Sequence, residues 1–211
     1  MQRLKYLTVK GYGEHEIVIR KSRFIAQVDR AATEEEAKSF VQDIKKKHWS
    51  ATHNCFAYAT GEGNGVRKAG DDGEPGGTAG MPILEVINKR ELRDTVIVVT
   101  RYFGGTKLGA GGLIRAYGKA ATGGLDAAGI VQMTLMRSML TGFDYTWLGK
   151  IENELAGTRY MLKETDYSQK VLMDILIPAG QEDEFTDWVA NLTNGQVEIN
   201  RGKTGYVELV V

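Results

Sequence analysis

The sequence predicts an α+β protein of two domains. Three observations lead there: the length, the distribution of charge, and a change in hydrophobic pattern partway along the chain. The 211 residues suffice for one large domain or two small ones. Residues 1–136 carry 20 Lys/Arg against 15 Asp/Glu, a net +5, whereas residues 137–211 carry 7 against 12, a net −5. Such a split in a chain of zero formal net charge suggests two modules, the basic one better suited to phosphates. Before Val131, strand-like runs and helical stripes are separated by glycine-dense segments. After it, short elements follow in the order β-α-β-β-α-β. The boundary is placed near residue 135, giving domains 1–135 and 136–211.

Residues 16–20 and 23–28 read as short strands. Thr33-Glu34-Glu35-Glu36 is a capping box, and Ala37, Phe40, Val41 and Ile44 follow it at helical spacing. Lys45-Lys46-Lys47 closes that helix at the negative end of its dipole. Residues 53–60 read as a strand. Eight glycines then fall between positions 61 and 80, around Asp71-Asp72-Gly73-Glu74-Pro75-Gly76-Gly77. This density of Gly and Pro predicts a long loop, and a loop of such length inside a compact domain is either functional or mobile. Pro82, well suited to a first helical position, opens a short helix over residues 82–88. Thr95-Val96-Ile97-Val98-Val99-Thr100 predicts a buried strand, and residues 113–121 a second helix.

In the second domain, residues 137–144 read as a strand, and Trp147, Leu148, Ile151 and Leu155 as a helical stripe. Strands over 160–166 and 170–177 flank a turn at Tyr167-Ser168-Gln169. Phe185, Trp188, Val189 and Leu192 form a second stripe, with Glu182-Asp183-Glu184 at its positive end. Asn194-Gly195 is a turn signal, and residues 196–200 and 206–211 close the chain as strands. This is the ferredoxin-like split motif, whose two helices cover one face of an antiparallel sheet.

An apolar content of 42% and a charged content of 26% describe a soluble protein with a packed core. Cys55 is the single cysteine, so no intramolecular disulfide forms and a reducing compartment is expected. Met1-Gln2-Arg3-Leu4-Lys5 lacks the apolar region of a secretory signal, and no stretch reaches the roughly 20 apolar residues of a membrane span. The expectation is a cytoplasmic protein with no membrane partner.

The richest segment is Arg101-Tyr102-Phe103-Gly104-Gly105-Thr106-Lys107-Leu108-Gly109-Ala110-Gly111-Gly112, between the buried strand and the second helix. A glycine-dense turn feeding a helix start presents bare amides at the positive end of a dipole, which suits an anion. Arg101, Lys107 and Arg115 add full charge. A phosphate or nucleic-acid site is therefore expected at Arg101, Tyr102, Gly104, Gly105, Lys107, Gly109, Gly111, Gly112 and Arg115, with tight helix-on-strand packing as the alternative. It is no Walker loop, since Ala110-Gly111 stands where Lys-Ser/Thr is needed, and it lacks the third glycine of the dinucleotide fingerprint. Tyr102 and Phe103 have rings that can stack on bases or pack in the core.

Asp71, Asp72 and Glu74 are candidate Mg²⁺ ligands, or turn-capping carboxylates. His53 and Cys55, two apart on a strand, share a face and are candidates for a base and its nucleophile, or for ordinary core residues. One cysteine and scattered histidines exclude structural zinc.

Five segments together resemble the YigZ/IMPACT family: Lys21-Ser22-Arg23-Phe24-Ile25-Ala26, Ala51-Thr52-His53-Asn54-Cys55, Asp71-Asp72-Gly73-Glu74-Pro75, Gly77-Thr78-Ala79-Gly80 with Pro82-Ile83-Leu84, and Thr100-Arg101-Tyr102-Phe103-Gly104-Gly105 with Lys107-Leu108-Gly109-Ala110-Gly111-Gly112-Leu113. They fall in order over residues 21–120. One departure is Gly76, where members of the family often carry serine. The resemblance implies a first domain like the second domain of ribosomal protein S5 and a second like the ferredoxin-like domain near the end of the translocation factor G. By the same resemblance, eukaryotic relatives bind the activator of a kinase of translation initiation factor 2, through an extra domain that is not expected in this chain. The first expectation is thus a non-catalytic regulator of translation, binding RNA, the ribosome or a translation factor through the basic domain. The second is a Mg²⁺-dependent enzyme acting on a phosphorylated small molecule or nucleotide, with His53 as acid or base. The third is a protein-interaction module docking through the acidic domain. No metallopeptidase ligand set can be assembled.

Overall fold

The computed structural model describes residues 3–61 and 65–210. Residues 1 and 2, residues 62–64 within the expected long loop, and Val211 at the end of the last expected strand lie outside the described residues. The chain divides into two compact units after Gln132.

The first unit runs β1 (Lys5–Val9), β2 (Gly13–Ile19), β3 (Ser22–Arg30), α1 (Glu34–Lys47), β4 (His53–Thr60), β5 (Val66–Gly70), α2 (Gly80–Lys89), β6 (Thr95–Tyr102) and α3 (Ala110–Ala128). A five-stranded sheet has the order β2-β3-β6-β4-β5, with neighbours antiparallel throughout. β1 is tied in by a bridge between Leu7 and Leu92 and by the Arg93 amide, which donates to the Leu7 carbonyl at 2.9 Å.

Side chains alternate along a strand, so central β6 serves two layers at once. Its Ile97 and Val99 join Cys55, Ala57 and Ala59 of β4 beneath α2 and α3. Its Val96 and Val98 join Tyr58 beneath Ala37, Val41 and Ile44 of α1. Burial on both faces explains why β6 reads as an unbroken β-branched run rather than an alternation. Gly124 lets α3 settle on the sheet: a Cβ there would stand 2.8 Å from the Ala26 Cβ and 2.9 Å from Val28 Cγ2.

The Thr33 hydroxyl accepts the Glu36 amide at 3.2 Å, and the Glu36 carboxylate accepts the amides of Ala32 and Thr33 at 2.7 and 3.4 Å. The capping box read from sequence thus starts α1. The expected loop over residues 61–80 needs correction. Val66–Gly70 forms β5, paired with β4, which divides the expected loop, and the segment beginning at Asp71 is irregular up to α2. An edge strand ending in glycine has no alternation to betray it.

The second unit contains most of β7 (Ile130–Phe143), a 3-10 turn (Tyr145–Trp147), α4 (Leu148–Leu155), β8 (Met161–Tyr167), β9 (Val171–Pro178), α5 (Glu182–Leu192) and β10 (Glu198–Val210). Its strands take the order β10-β7-β9-β8, the ferredoxin-like arrangement of a βαββαβ chain. α4 and α5 cover one face, where Ile151, Leu155, Phe185 and Val189 meet Met139 and Met173. The two closing strands expected from sequence are one continuous strand, β10. Among the described residues no helix is long and apolar enough to cross a membrane.

Replacing Thr33 by Ala removes the side-chain cap of α1. The expected cost is about 1 kcal/mol of stability, read from the shift of a urea unfolding curve with unchanged far-ultraviolet circular dichroism.

Candidate functional site: a cleft at the start of α3

Antiparallel register sets the floor of the site. Arg101 near the end of β6 is paired with Phe24 of β3 on one side and His53 of β4 on the other. All three side chains therefore share the face covered by α3. Arg101 is only 5% exposed. A guanidinium taken out of water needs a close counter-charge. Glu74, itself buried, supplies it, accepting from Arg101 Nη1 at 2.6 Å. The guanidinium also lies 5.4 Å from the ring centres of Phe24 and of Phe103.

Glu74 is delivered by a loop that Asp71 holds in shape. The Asp71 carboxylate accepts the amides of Gly77, Ala79 and Gly80 at 2.8, 3.1 and 2.8 Å. Burial opposes its charge, yet these three amides hold it below the usual carboxylate range. Asp72 accepts the Asn54 amide at 2.7 Å and Lys45 Nζ at 2.6 Å. Its carbonyl lies 2.8 Å from His53 Nδ1. A carbonyl only accepts, so Nδ1 carries the hydrogen and Nε2 keeps a lone pair in the neutral ring. That Nε2 is 3.8 Å from Glu74 Oε2.

The second partner of Glu74 is Tyr117 of α3, whose hydroxyl donates at 2.7 Å. The Cys55 thiol in turn points at the Tyr117 oxygen, 3.4 Å away, and at the Asp71 carbonyl, 3.0 Å away. Burial, with the neighbouring acidic groups, pushes the Cys55 thiol up to about 12. Burial also raises the Tyr117 phenol, helped by Cys55 and Glu74. Strand, loop and helix are joined by one buried polar cluster: Cys55, Glu74, Arg101 and Tyr117, with His53 at its edge.

Beside this cluster lies a cleft of ≈ 430 Å³. His53, Glu74 and Arg101 contribute to its floor, Phe103, Leu108 and Leu113 to its apolar walls, and Lys107, Gly109 and Ala110 to its rim. α3 begins there with Gly109 as N-cap, no side-chain cap and no acidic residue in its first turn. The Leu113 amide closes the first helical bond on the Gly109 carbonyl at 2.9 Å, so the amides of Ala110, Gly111 and Gly112 have no helical acceptor. The positive end of a long helix thus meets the cleft.

The residues expected at an anion site are placed unequally. Gly109 and Lys107 line the cleft, and Gly111 and Gly112 supply its helix start. Gly105 and Gly109 take positive φ, +83° and +71°, and shape the turn. Arg101 lines the cleft, but its charge is answered by Glu74 and it is no free cation. Gly104 is close-packed, since a Cβ there would stand 2.0 Å from the Lys21 carbonyl carbon, and its amide donates to Ser22 Oγ at 3.1 Å. Tyr102 belongs to the other face of β6: its hydroxyl lies 3.0 Å from His48 Nδ1, and Arg23 sits over its ring. Arg115 is exposed on α3 and does not line the cleft. Neither Lys107 nor Arg115 makes an ion pair among the described residues.

Two further expectations change. Asp71, Asp72 and Glu74 turn to different partners, and among the described residues no group of three or more His, Cys, Asp or Glu is placed to hold a metal ion. His53 and Cys55 share a face, yet the thiol bonds elsewhere and is fully buried, so they form no nucleophile–base pair. Tyr117 falls outside the candidate residues, and Ser22 and Phe24 enter only through the family resemblance. Tyr117 sits on the apolar stripe of α3 and reads as an ordinary core aromatic.

The Impact N-terminal domain matches residues 20–125, and a domain of unknown function, DUF1949, matches residues 141–196. The chain is 56% identical over 206 residues to the IMPACT family member YvyE of Bacillus subtilis, covering 98% of this chain and 95% of that one. It is 35% identical over 188 residues to the family member YigZ of Escherichia coli, covering 86% and 90%. A crystal structure described only as a hypothetical protein is 30% identical, with a TM-score of 0.61 over 94% of this chain and 97% of that one.

Two predictions follow from the cluster. Glu74→Ala and Arg101→Met each leave a buried charge or its partner unanswered and should cost about 3–5 kcal/mol, whereas the double variant should cost clearly less than their sum in a denaturation cycle. The folded-state pKa of Cys55 is raised from its ordinary 9.0 to about 12, so its contribution to stability is full below pH 9 and is lost as the pH climbs toward 12. At pH 8 a thiol reagent should leave Cys55 unmodified until the protein unfolds; rapid labelling of the native protein would contradict this.

Proposed function

The chain belongs to the IMPACT family, and we propose that its first domain binds RNA phosphates at the cleft beneath the start of α3, as a non-catalytic regulator of translation. One observation carries this reading: an uncapped helix N-terminus opens on a cleft whose rim holds Lys107 and whose lining includes an exposed aromatic ring, Phe103. Bare amides and the helix dipole favour a phosphate, the lysine adds charge, and an aromatic ring offers a face for a base. Arg115, farther along α3, adds positive potential for a neighbouring phosphate. The net +5 of residues 1–136 agrees with a polyanionic partner. RNA alone, the ribosome or an RNA-bound translation factor would all present that chemistry. The family resemblance, with eukaryotic relatives that act on translation initiation, supports the regulatory role.

The groups that chemistry would need are engaged in structure. Cys55 is buried, Glu74 answers Arg101, and Asp71 and Asp72 hold the loop. A second reading rests on His53, whose Nε2 is left with a lone pair by the Asp72 carbonyl and whose ring lines the cleft. In that reading the cleft takes a small phosphorylated ligand, any Mg²⁺ arriving with its phosphate, and His53 moves a proton.

Filter binding of a single-stranded RNA separates the two. Lys107→Ala should weaken binding and reduce the slope of log K against log salt by about 0.7–0.9. Arg115→Glu should weaken it further. Unchanged affinity and slope in both variants would refute the RNA reading, while stoichiometric nucleotide binding with turnover that His53→Ala abolishes would establish the second.

A further inference from the structure

The ferredoxin-like sheet of the second unit has a face that its own helices do not cover. Odd-numbered residues such as Met139, Val171, Met173 and Ile175 meet α4 and α5. The pairing of β7, β9 and β8 places three rows on the opposite face: Gly142, Leu172 and Asp166; Leu140, Asp174 and Glu164; Ser138, Leu176 and Met161. Leu140 is 47% and Leu172 46% exposed. An open sheet face ordinarily carries polar side chains. At Gly142 the missing side chain leaves a hollow of ≈ 300 Å³ walled by Leu140 and Leu172. Its charged lining is Glu164, Asp166, Asp174 and Glu198, with no lysine or arginine. Lys163 reaches Asp174 at 2.7 Å and Lys170 reaches Glu198 at 2.5 Å, neither lining the hollow. Glu164 and Asp166 make no ion pair among the described residues.

We propose that this face docks an extended basic segment of a partner protein, with a lysine or arginine side chain laid in the hollow over Gly142. A long basic side chain has an apolar stem and a cationic head. The stem matches Leu140 and Leu172, and the head matches the surrounding carboxylates. An apolar neighbour on the same segment covers the rest of the exposed leucine surface. Charge complementarity selects this occupant: residues 137–211 carry a net −5, which repels nucleic acid and attracts a basic chain. This face belongs to a different domain from the RNA cleft, so binding at either can be lost without the other.

The test is fluorescence anisotropy of the full chain with a short labelled peptide rich in lysine, arginine and leucine, and a glutamate–leucine peptide as control. Gly142→Leu fills the hollow without changing charge. A Cβ at that position meets Leu172 Cδ2 at 3.1 Å and Glu198 Cβ at 3.8 Å, side-chain atoms that can shift. Glu164→Gln with Asp166→Asn removes charge and keeps shape, and it is the decisive variant should Gly142→Leu lower the melting temperature. The wild type should bind the basic peptide and not the acidic one, less tightly as salt rises. Each variant should lose about tenfold in affinity or more, the equivalent of about 1.4 kcal/mol. Equal binding by wild type and both variants overturns the proposal, as does absence of binding to the basic peptide. Self-association abolished by Leu172→Asp, or RNA binding lost in these same variants, overturns it too, by giving the face a different occupant.

Discussion

A guanidinium withdrawn from water must be met by a carboxylate, and in the first domain that demand falls on Arg101. The pair it makes with Glu74, at 2.6 Å and with both side chains nearly inaccessible, is the constraint around which the site is arranged. Glu74 can reach Arg101 only if its loop turns inward, and Asp71 imposes that turn through three backbone amides. Glu74 then has capacity for a second donor, which Tyr117 provides from α3. The end of β6, the loop before α2 and the middle of α3 are thereby held to one another. Removing one member of such a cluster leaves its neighbours buried without a partner, which ties the three segments together energetically.

That same constraint separates the charges that hold the protein together from those that face outward. Arg101 was the most prominent cation of the glycine-rich segment, yet its field is largely cancelled by Glu74. Lys107 and the first amides of α3 are left to face solvent. His53 sits between the two groups. Its Nδ1 is committed to the Asp72 carbonyl, which fixes the ring and leaves Nε2 near Glu74. A site whose acids are all engaged favours holding an anion over transforming one, because proton transfer and metal binding both need groups with open coordination or hydrogen-bonding positions.

Much of this was legible in the sequence wherever the cause was local. The Thr33–Glu36 box, the β-branched run of β6 and the acid-led stripe of α5 each carry their own explanation within a few residues. Strand alternation also places Tyr102 opposite Arg101, a signal present in the sequence itself. What could not be read were contacts across distance. Arg101 and Glu74 are 27 positions apart, and Tyr117 lies 43 beyond Glu74. β5 was hidden because its partner, not its own pattern, makes it a strand, and Gly70 there lies beneath the Phe56 ring, where a Cβ would stand 2.5 Å from that ring. Gly104 read as a phosphate-binding glycine, whereas the backbone of Lys21 leaves no room for a side chain.

The zero formal charge of the whole chain conceals two domains with opposite electrostatic preferences. In the readings proposed above, a helix start with a lysine at its side takes phosphate, and a leucine-walled hollow lined by four carboxylates, two of them already paired with lysines, takes a basic side chain. Partners of opposite sign do not compete for such surfaces, and each surface repels the ligand of the other. Salt would screen both attractions, but an apolar stem laid over Gly142 and a base stacked on Phe103 would contribute terms that salt does not remove. Under both proposals, specificity would come from an apolar element set beside a charge, since the charge alone would attract any polyion.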